Sequence, residues 1–348
     1  MSAPIVLCDT KGMTNERWLE CRMHGPKGDI PYTIGGSDVA AVFGVSPWVT
    51  PLELWKIKKG QMKPPLKNNL AQLNMGHLLE PIAAQLYAEK TGNIVEEDTM
   101  LYQHADFKYA LANFDRRFTD AATGEKGILE CKSTSYHMAS HWAGGAYPLY
   151  YEFQLRFYLA VADLRIGDFS ALWGNNPDND LATPRLMRDR AKEDMIFEKL
   201  DYFIWSLEHD VPPTMDGINT KLALESLAKI YPKSNPKLAE VIFAGKHEAL
   251  LRRILALQEQ KKNCNAEIKI IEEEIKKHSV RIIEMMRDHE HGVRETTADK
   301  ILIDFVTKQG TKTDKDKLQK LYPDVYKDVV NETESRTLKI SVEPKKAI

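Results

Sequence analysis

Residues 109–134 read YALANFDRRFTDAATGEKGILECKST, and this stretch decides the fold. Two β-like runs, YALANFDRRF and GILECKST, flank TDAATGEK, a segment dense in turn formers, so the stretch predicts an antiparallel hairpin. A turn centred between Ala122 and Thr123 sets Asp115 directly opposite Glu130, with Cβ atoms ~5 Å apart. Lys132 stands two residues beyond Glu130 and projects from the same strand face. Two carboxylates that close repel unless a cation sits between them. Oxygen donors favour Mg²⁺ or Mn²⁺, which keeps waters and phosphate oxygens in its other positions. Such an ion activates water and neutralises charge on a phosphodiester. Lys132 can then orient the attacking water or stabilise the pentacovalent phosphorus. Glu80, at the start of the preceding helix, can complete the set.

Glu-x-Lys by itself is a weak signal. It occurs five times in the chain, and three of those lie on a long helical stretch and one in the C-terminal tail. Only Glu130–Lys132 lies on an apolar strand with an Asp across the hairpin. The bland alternative is a surface cross-strand ion cluster of Asp115, Arg116, Glu130 and Lys132.

The rest of the chain sets the frame. It has 348 residues, 43% hydrophobic and 28% charged, enough to bury a sizeable core and against wholesale disorder. The net charge of −2 gives no global polybasic signal, so any nucleic-acid contact must come from a local patch. No run of 18 apolar residues argues for a membrane span. The N-terminus lacks a basic start followed by an apolar stretch, so a cytoplasmic location is expected. The cysteines Cys8, Cys21, Cys131 and Cys264 form no CxxC pair, against a zinc or iron–sulfur site.

Three segments follow. Residues 1–210 read as one body. It holds a helix at NERWLECR (15–22), a helix capped by Ser37 or Asp38, and a helix opened by Pro51. A positive loop carries Lys56, Lys58, Lys59, Lys63 and Lys67. The next amphipathic helix, over 76–91, begins at Glu80–Pro81 because proline is awkward inside a helix. Strands are expected within 93–104 and at GDFSALWG (167–174), and helices over 142–163 and up to Glu208. Residues 211–246, with Pro212, Pro213, Pro232 and Pro236, read as a linker. From 247 to 348 the pattern changes. Apolar residues alternate by four and three from Leu250 to Met285, which makes either one long helix or a hairpin folded near Asn263. A strand (KILIDFVTK), a helix (KDKLQKLYPDVYKDVV) and a strand (SRTLKIS) follow.

Asp…Glu-x-Lys on a hairpin, after a helix Glu, resembles the PD-(D/E)xK nucleases. More specifically, ERWLECR (16–22), IGGSDVAAVFGVSPWVTPLELW (34–55), GHLLEP (76–81), ANFDRRF (112–118), ILECKST (128–134) and YYEFQLRFYLAV (150–161) stand in the order seen in the YqaJ-type viral recombinase family, which is similar to phage lambda exonuclease. The resemblance covers about 15–210. It implies an α/β, restriction-endonuclease-like core, a mixed central sheet flanked by helices, followed by a mainly helical C-terminal appendix with a small sheet. It implies Asp115, Glu130, the Cys131 main-chain carbonyl and Glu80 as metal ligands for Mg²⁺ (Mn²⁺ substituting), and Lys132 as the catalytic lysine. Gln154 falls in the family's Gln-x-Gln helix motif, with Arg156 in place of the second Gln, so either can face the site. Arg22, Ser37 and Asn113 match positions that bind the 5′-phosphate of a DNA end.

The activity implied is a metal-dependent deoxyribonuclease that digests one strand of linear duplex processively 5′→3′. It releases 5′-phosphomononucleotides and leaves 3′ tails for a single-strand annealing protein in phage or prophage recombination. A homo-oligomer, in lambda-type enzymes a ring-shaped trimer, goes with that activity. The alternatives are a restriction- or repair-type endonuclease, an RNA-directed nuclease, and a non-catalytic DNA-end-binding assembly protein.

Overall fold

The computed structural model describes residues 3–64, 70–235, 237, 240–295, 300–310 and 314–330, with the backbone alone for 15, 70–74 and 177. They divide into two units, Met1–Tyr231 and Pro232–Ile348.

The first unit opens with β1 (Ile5–Asp9), α1 (Asn15–His24), α2 (Gly36–Val42), α3 (Pro51–Lys58) and α4 (Leu70–Thr91). It continues through β2 (Ile94–Glu97), β3 (Met100–Gln103), β4 (Leu111–Ala112), β5 (Arg116–Thr119), β6 (Lys126–Ser133), α5 (Leu149–Ala162) and β7 (Ile166–Leu172). It closes with α6 (Pro177–Asp180), β8 (Leu181–Ala182), β9 (Arg185–Met187), α7 (Arg190–Glu208) and α8 (Thr220–Ile230). The central sheet runs β2-β5-β6-β7-β8, with β9 also pairing β7. β6 and β7 are parallel and the other pairs antiparallel, which gives the expected mixed α/β sheet with helices against it. A small sheet, β1-β3-β4, lies apart from it in the strand order.

The hairpin has the register read from the sequence. Arg116 lies opposite Leu129 and Thr119 opposite Lys126, so continuing the ladder by one residue brings Asp115 to Glu130. Its turn is built by Asp120, whose Oδ1 accepts from the amides of Ala122 and Thr123, a local geometry that aspartate favours. Alternation along β6 then sorts the faces. Leu129 and Cys131 pack with Ala83, Ala84 and Tyr87 of α4. Ile128 joins the larger core with Leu155, Tyr158 and Leu159 of α5. Glu130 and Lys132 therefore share the α5 face. A parallel pair needs a crossover, and α5 supplies it between β6 and β7. β7 is buried along its whole length, which is why it reads as the apolar run IGDFSAL.

Several boundaries differ from the sequence reading. α4 runs from Leu70 with Pro81 inside it, so the proline does not start the helix. α2 is capped at Gly35, and Asp38 reaches back to the Gly35 amide (3.0 Å) instead of capping. The aromatic helix over 142–163 is in fact a 3-10 stretch, Tyr136–Gly145, then α5, stopped by Asp163 at φ 53°. Within the 211–246 segment read as a linker, α8 packs on the first unit. Fully buried Ser226 shares a hydrogen bond with Thr50 (2.8 Å), and Lys229 pairs with Glu53 (3.1 Å).

In the second unit α9 (Glu248–Met286) is one continuous helix of 39 residues, about 58 Å long, and does not fold back near Asn263. β10 (His291–Glu295) and β11 (Lys300–Asp304) form a hairpin, followed by α10 (Lys315–Leu321) and α11 (Pro323–Val329). A groove of about 710 Å³ lies between α9 and β11, lined by Ile271, Ile275, Ile282, Met286, Ile303 and Phe305 among others. The strand expected at SRTLKIS lies outside the described residues. Among the described residues no helix is long and apolar enough to cross a membrane.

Candidate active site

Glu130 is 1% exposed, and one of its oxygens is fully engaged. Oε1 accepts from Lys132 Nζ (2.5 Å) and from Gln154 Nε2 (2.5 Å) on α5. Oε2 is buried with no hydrogen-bond partner. Asp115 Oδ2 accepts from the Cys131 amide (2.9 Å), which ties the residue before β5 to β6 at the level of Glu130. Burial, and then the Asp115 charge, push the Glu130 carboxyl up to about 8, although Lys132 pulls the other way. Glu80 is raised for the same two reasons, burial and then Asp115, and is partly restored by Arg116. Burial opposes the Lys132 charge, but Glu130 and Asp115 outweigh it and hold the ammonium charged. That ammonium lies over the Tyr151 ring, 4.7 Å from its centroid.

Glu80, Asp115, Glu130, Lys132 and Gln154 thus gather at one end of the sheet. Gln154, not Arg156, faces Glu130. Arg156 is turned away to Glu152 (2.8 Å) and the Met187 carbonyl (3.2 Å). Glu80 is held by Arg116 Nη1 (2.6 Å), which also donates to the Asp115 carbonyl. Among the described residues, no three or more His, Cys, Asp and Glu side chains are grouped as a metal cage. The donor set that remains is two carboxylates and a main-chain carbonyl. That suits Mg²⁺, which commonly takes one or two carboxylates and keeps its waters. A buried, unpartnered carboxylate oxygen next to a second acid is the further sign that a cation fits here.

Arg22 and Ser37 also meet, Arg22 Nη2 donating to Ser37 Oγ. They adjoin the carboxylate centre through α5. The Arg22 charge acts on the Tyr158 hydroxyl, and that hydroxyl accepts from Gln154 (3.2 Å). α2 approaches α5 so closely that a Cβ on Gly36 would lie 2.4 Å from the Tyr158 ring, so only glycine fits there. Asn113 has its side-chain amide engaged with the main chain. Its amide donates to the Met100 carbonyl (2.9 Å), an acceptor left at the edge of β3. Of the lysines in the positive loop, Lys58 is buried on Asp38 (2.9 Å) and Lys59 pairs with Asp210 (3.2 Å). Lys67 lies outside the described residues.

Sequence reasoning missed Tyr151 and Tyr158 as parts of the site. Their spacing carried the signal: 151, 154 and 158 share one helical face with Gln154.

Residues 17–165 match the family model for the YqaJ-like viral recombinase domain. A Bacillus subtilis (strain 168) protein, "Uncharacterized protein YqaJ", is 30% identical over 336 residues, 95% of each chain. This chain belongs to the YqaJ-like viral recombinase family. Among solved structures it is similar to an alkaline exonuclease (LHK-Exo) from Laribacter hongkongensis, at 22% identity and a TM-score of 0.46 over 57% of this chain and 94% of that one. The same exonuclease in complex with dAMP gives 21% and 0.47 over the same shares. A phage-related exonuclease from Haemophilus somnus 129PT gives 12% and 0.39 over 51% and 95%. In this family member the mixed sheet carries the hairpin, and α5 makes the crossover between its two parallel strands.

Proposed function

We propose that this protein is a Mg²⁺-dependent deoxyribonuclease that digests one strand of linear duplex DNA 5′→3′ to 5′-phosphomononucleotides. One observation carries the reading: a buried carboxylate, Glu130, has one oxygen pinned by Lys132 and Gln154 and the other free beside Asp115.

Asp115, Glu130 and the Cys131 carbonyl would hold the ion, with Glu80 acting through water. When bound, it supplies an acidified water and charge neutralisation at the phosphodiester. Lys132 orients the nucleophile and offsets the charge that grows on phosphorus. Gln154 fixes the Glu130 rotamer, so the free oxygen keeps one direction. Arg22, a planar fork of donors beside the Ser37 hydroxyl, binds the 5′-phosphate of the end being digested. The 3′ tail left behind would serve a single-strand annealing protein in a bacterial cytoplasm. The exposed apolar positions Leu257, Ile268, Ile271, Ile275 and Ile282 along α9 support self-association as a homo-oligomer.

One gel tests the assignment: linear duplex with 5′-phosphate or 5′-hydroxyl ends, against circular duplex, in Mg²⁺ or EDTA. Wild type is expected to remove linear DNA only, in Mg²⁺ only, and faster from 5′-phosphate. Glu130→Ala removes none, and Arg22→Ala loses the 5′-phosphate preference. Digestion in EDTA would end the metal mechanism, and cutting of circular DNA would make the protein an endonuclease. A wild type that binds ends and digests nothing would make it an assembly protein.

A further inference from the structure

Trp48 stands in the loop between α2 and α3 and is 56% exposed, whereas Trp55 and Trp142 are at 3% and 2%. The loop that presents it is fixed. The amides of Val45 and Ser46 donate to the Ala40 carbonyl, and Ser46 Oγ accepts from the amides of Trp48 and Val49 (3.2 and 3.3 Å). Thr50 then caps α3. The indole meets Tyr150 edge-on, 5.1 Å between centroids at 76°, and lies 6.3 Å from Tyr151. Tyr151 is the ring over which the Lys132 ammonium sits. A row of three rings therefore leads from open solvent to the ammonium group of the site.

A single exposed indole is ordinary on a protein surface; this one is distinguished by the row of rings that leads from it to Lys132. Two features choose the occupant. The inner ring of the row is the one that carries Lys132, so whatever brings a phosphate to Lys132 brings its neighbouring groups to Trp48. In a nucleic acid those groups are bases, flat and with a π-face to offer. Stacking on aromatic side chains is sequence-tolerant, which suits an enzyme that must remove every base in turn.

Building on the nuclease reading, we propose that Trp48, backed by Tyr150 and Tyr151, is a stacking platform for a nucleobase within the first two nucleotides of the digested end. The platform holds the terminal nucleotide in place while its phosphodiester meets Lys132.

The test uses the full chain with Ca²⁺ in place of Mg²⁺, so that binding is read without digestion, and duplexes with 2-aminopurine or an abasic analogue at the first or second 5′ nucleotide. Trp48→Ala is expected to weaken end binding about 10-fold and to leave 2-aminopurine bright where wild type quenches it, with an unchanged unfolding midpoint. Trp48→Phe keeps most of the affinity. The abasic analogue costs wild type a similar factor and costs Trp48→Ala nothing further, a non-additivity that a purely structural role would not produce. In Mg²⁺, KM rises and kcat stays. Equal binding by wild type and Trp48→Ala, or an abasic penalty that is the same in both, would overturn the platform while leaving the nuclease reading intact. A wild type that neither binds nor digests duplex ends would overturn both.

Discussion

Replacing Lys132 with alanine is expected to lower the rate of duplex digestion about 10³-fold, through kcat rather than KM. The ammonium lies 2.5 Å from Glu130 Oε1 and has no role in gripping DNA at a distance, so substrate binding should hardly change. Stability should respond in a pH-dependent way in the metal-free protein. Burial and Asp115 already push the Glu130 carboxyl up to about 8, and Lys132 is the group that restrains it. The raised value means that protonation of Glu130 favours the folded state. That contribution is complete below the carboxyl's ordinary range and is lost as pH rises through about 8. Without Lys132 the carboxyl moves higher still, so at neutral pH the variant simply keeps its proton. Above pH 8 the wild-type acid ionises against Lys132, whereas the variant keeps its proton at a cost, relative to the unfolded chain, that grows with pH. Thermal unfolding in EDTA from pH 6 to 9.5 should show the gap between wild type and Lys132→Ala widening with pH. A constant gap would mean that the two groups are not coupled.

Asp168→Ala should produce the largest loss of stability, about 3–5 kcal/mol, roughly 10 °C in Tm for a unit of this size. Asp168, on β7, is buried and accepts from Arg185 Nε (2.8 Å) and Nη2 (2.9 Å) and from the Tyr87 hydroxyl (2.6 Å). Tyr87 accepts in turn from Asn93 (2.7 Å), and Arg185 also pairs with Asp120 of the hairpin turn (2.8 Å). Removing the carboxylate takes from Arg185 its bidentate partner and leaves the buried Tyr87 hydroxyl without its acceptor, where β7, β9 and α4 meet. Asp168 pairs with Leu129, whose side chain lies on the sheet face opposite Glu130, so digestion measured well below Tm should be retained. Differential scanning calorimetry checks the prediction, and Arg185→Leu combined with Asp168→Ala should recover part of the loss. A shift of a degree or two would show that the network adds little.

These two sites also mark what the sequence could and could not reveal. The hairpin was legible because a strand has a fixed period and a turn has a recognisable chemistry. Together they place Asp115, Glu130 and Lys132 without any tertiary information. Glu80 and Gln154 were legible only as motif positions on flanking helices. Hydrogen bonds between residues far apart in the chain have no spacing. Arg116 on Glu80, Asn113 on Met100 and Ser226 on Thr50 could not be read in advance for that reason. Within 211–246, α8 was not legible on the same ground, since it is a helix stabilised by what it packs on. Asp168 did leave a trace: an acid within the apolar run IGDFSAL must be paired if the strand is central. Its partner, Arg185, carries no such mark.

The central claim is that Asp115 and Glu130 hold a divalent ion beside Lys132. Anomalous scattering from crystals soaked in Mn²⁺ tests it most directly, for wild type and Glu130→Ala. A manganese peak is expected between the two carboxylates in wild type and none in the variant. A fully soaked wild-type crystal with no peak there, or with the same peak in the variant, would contradict it.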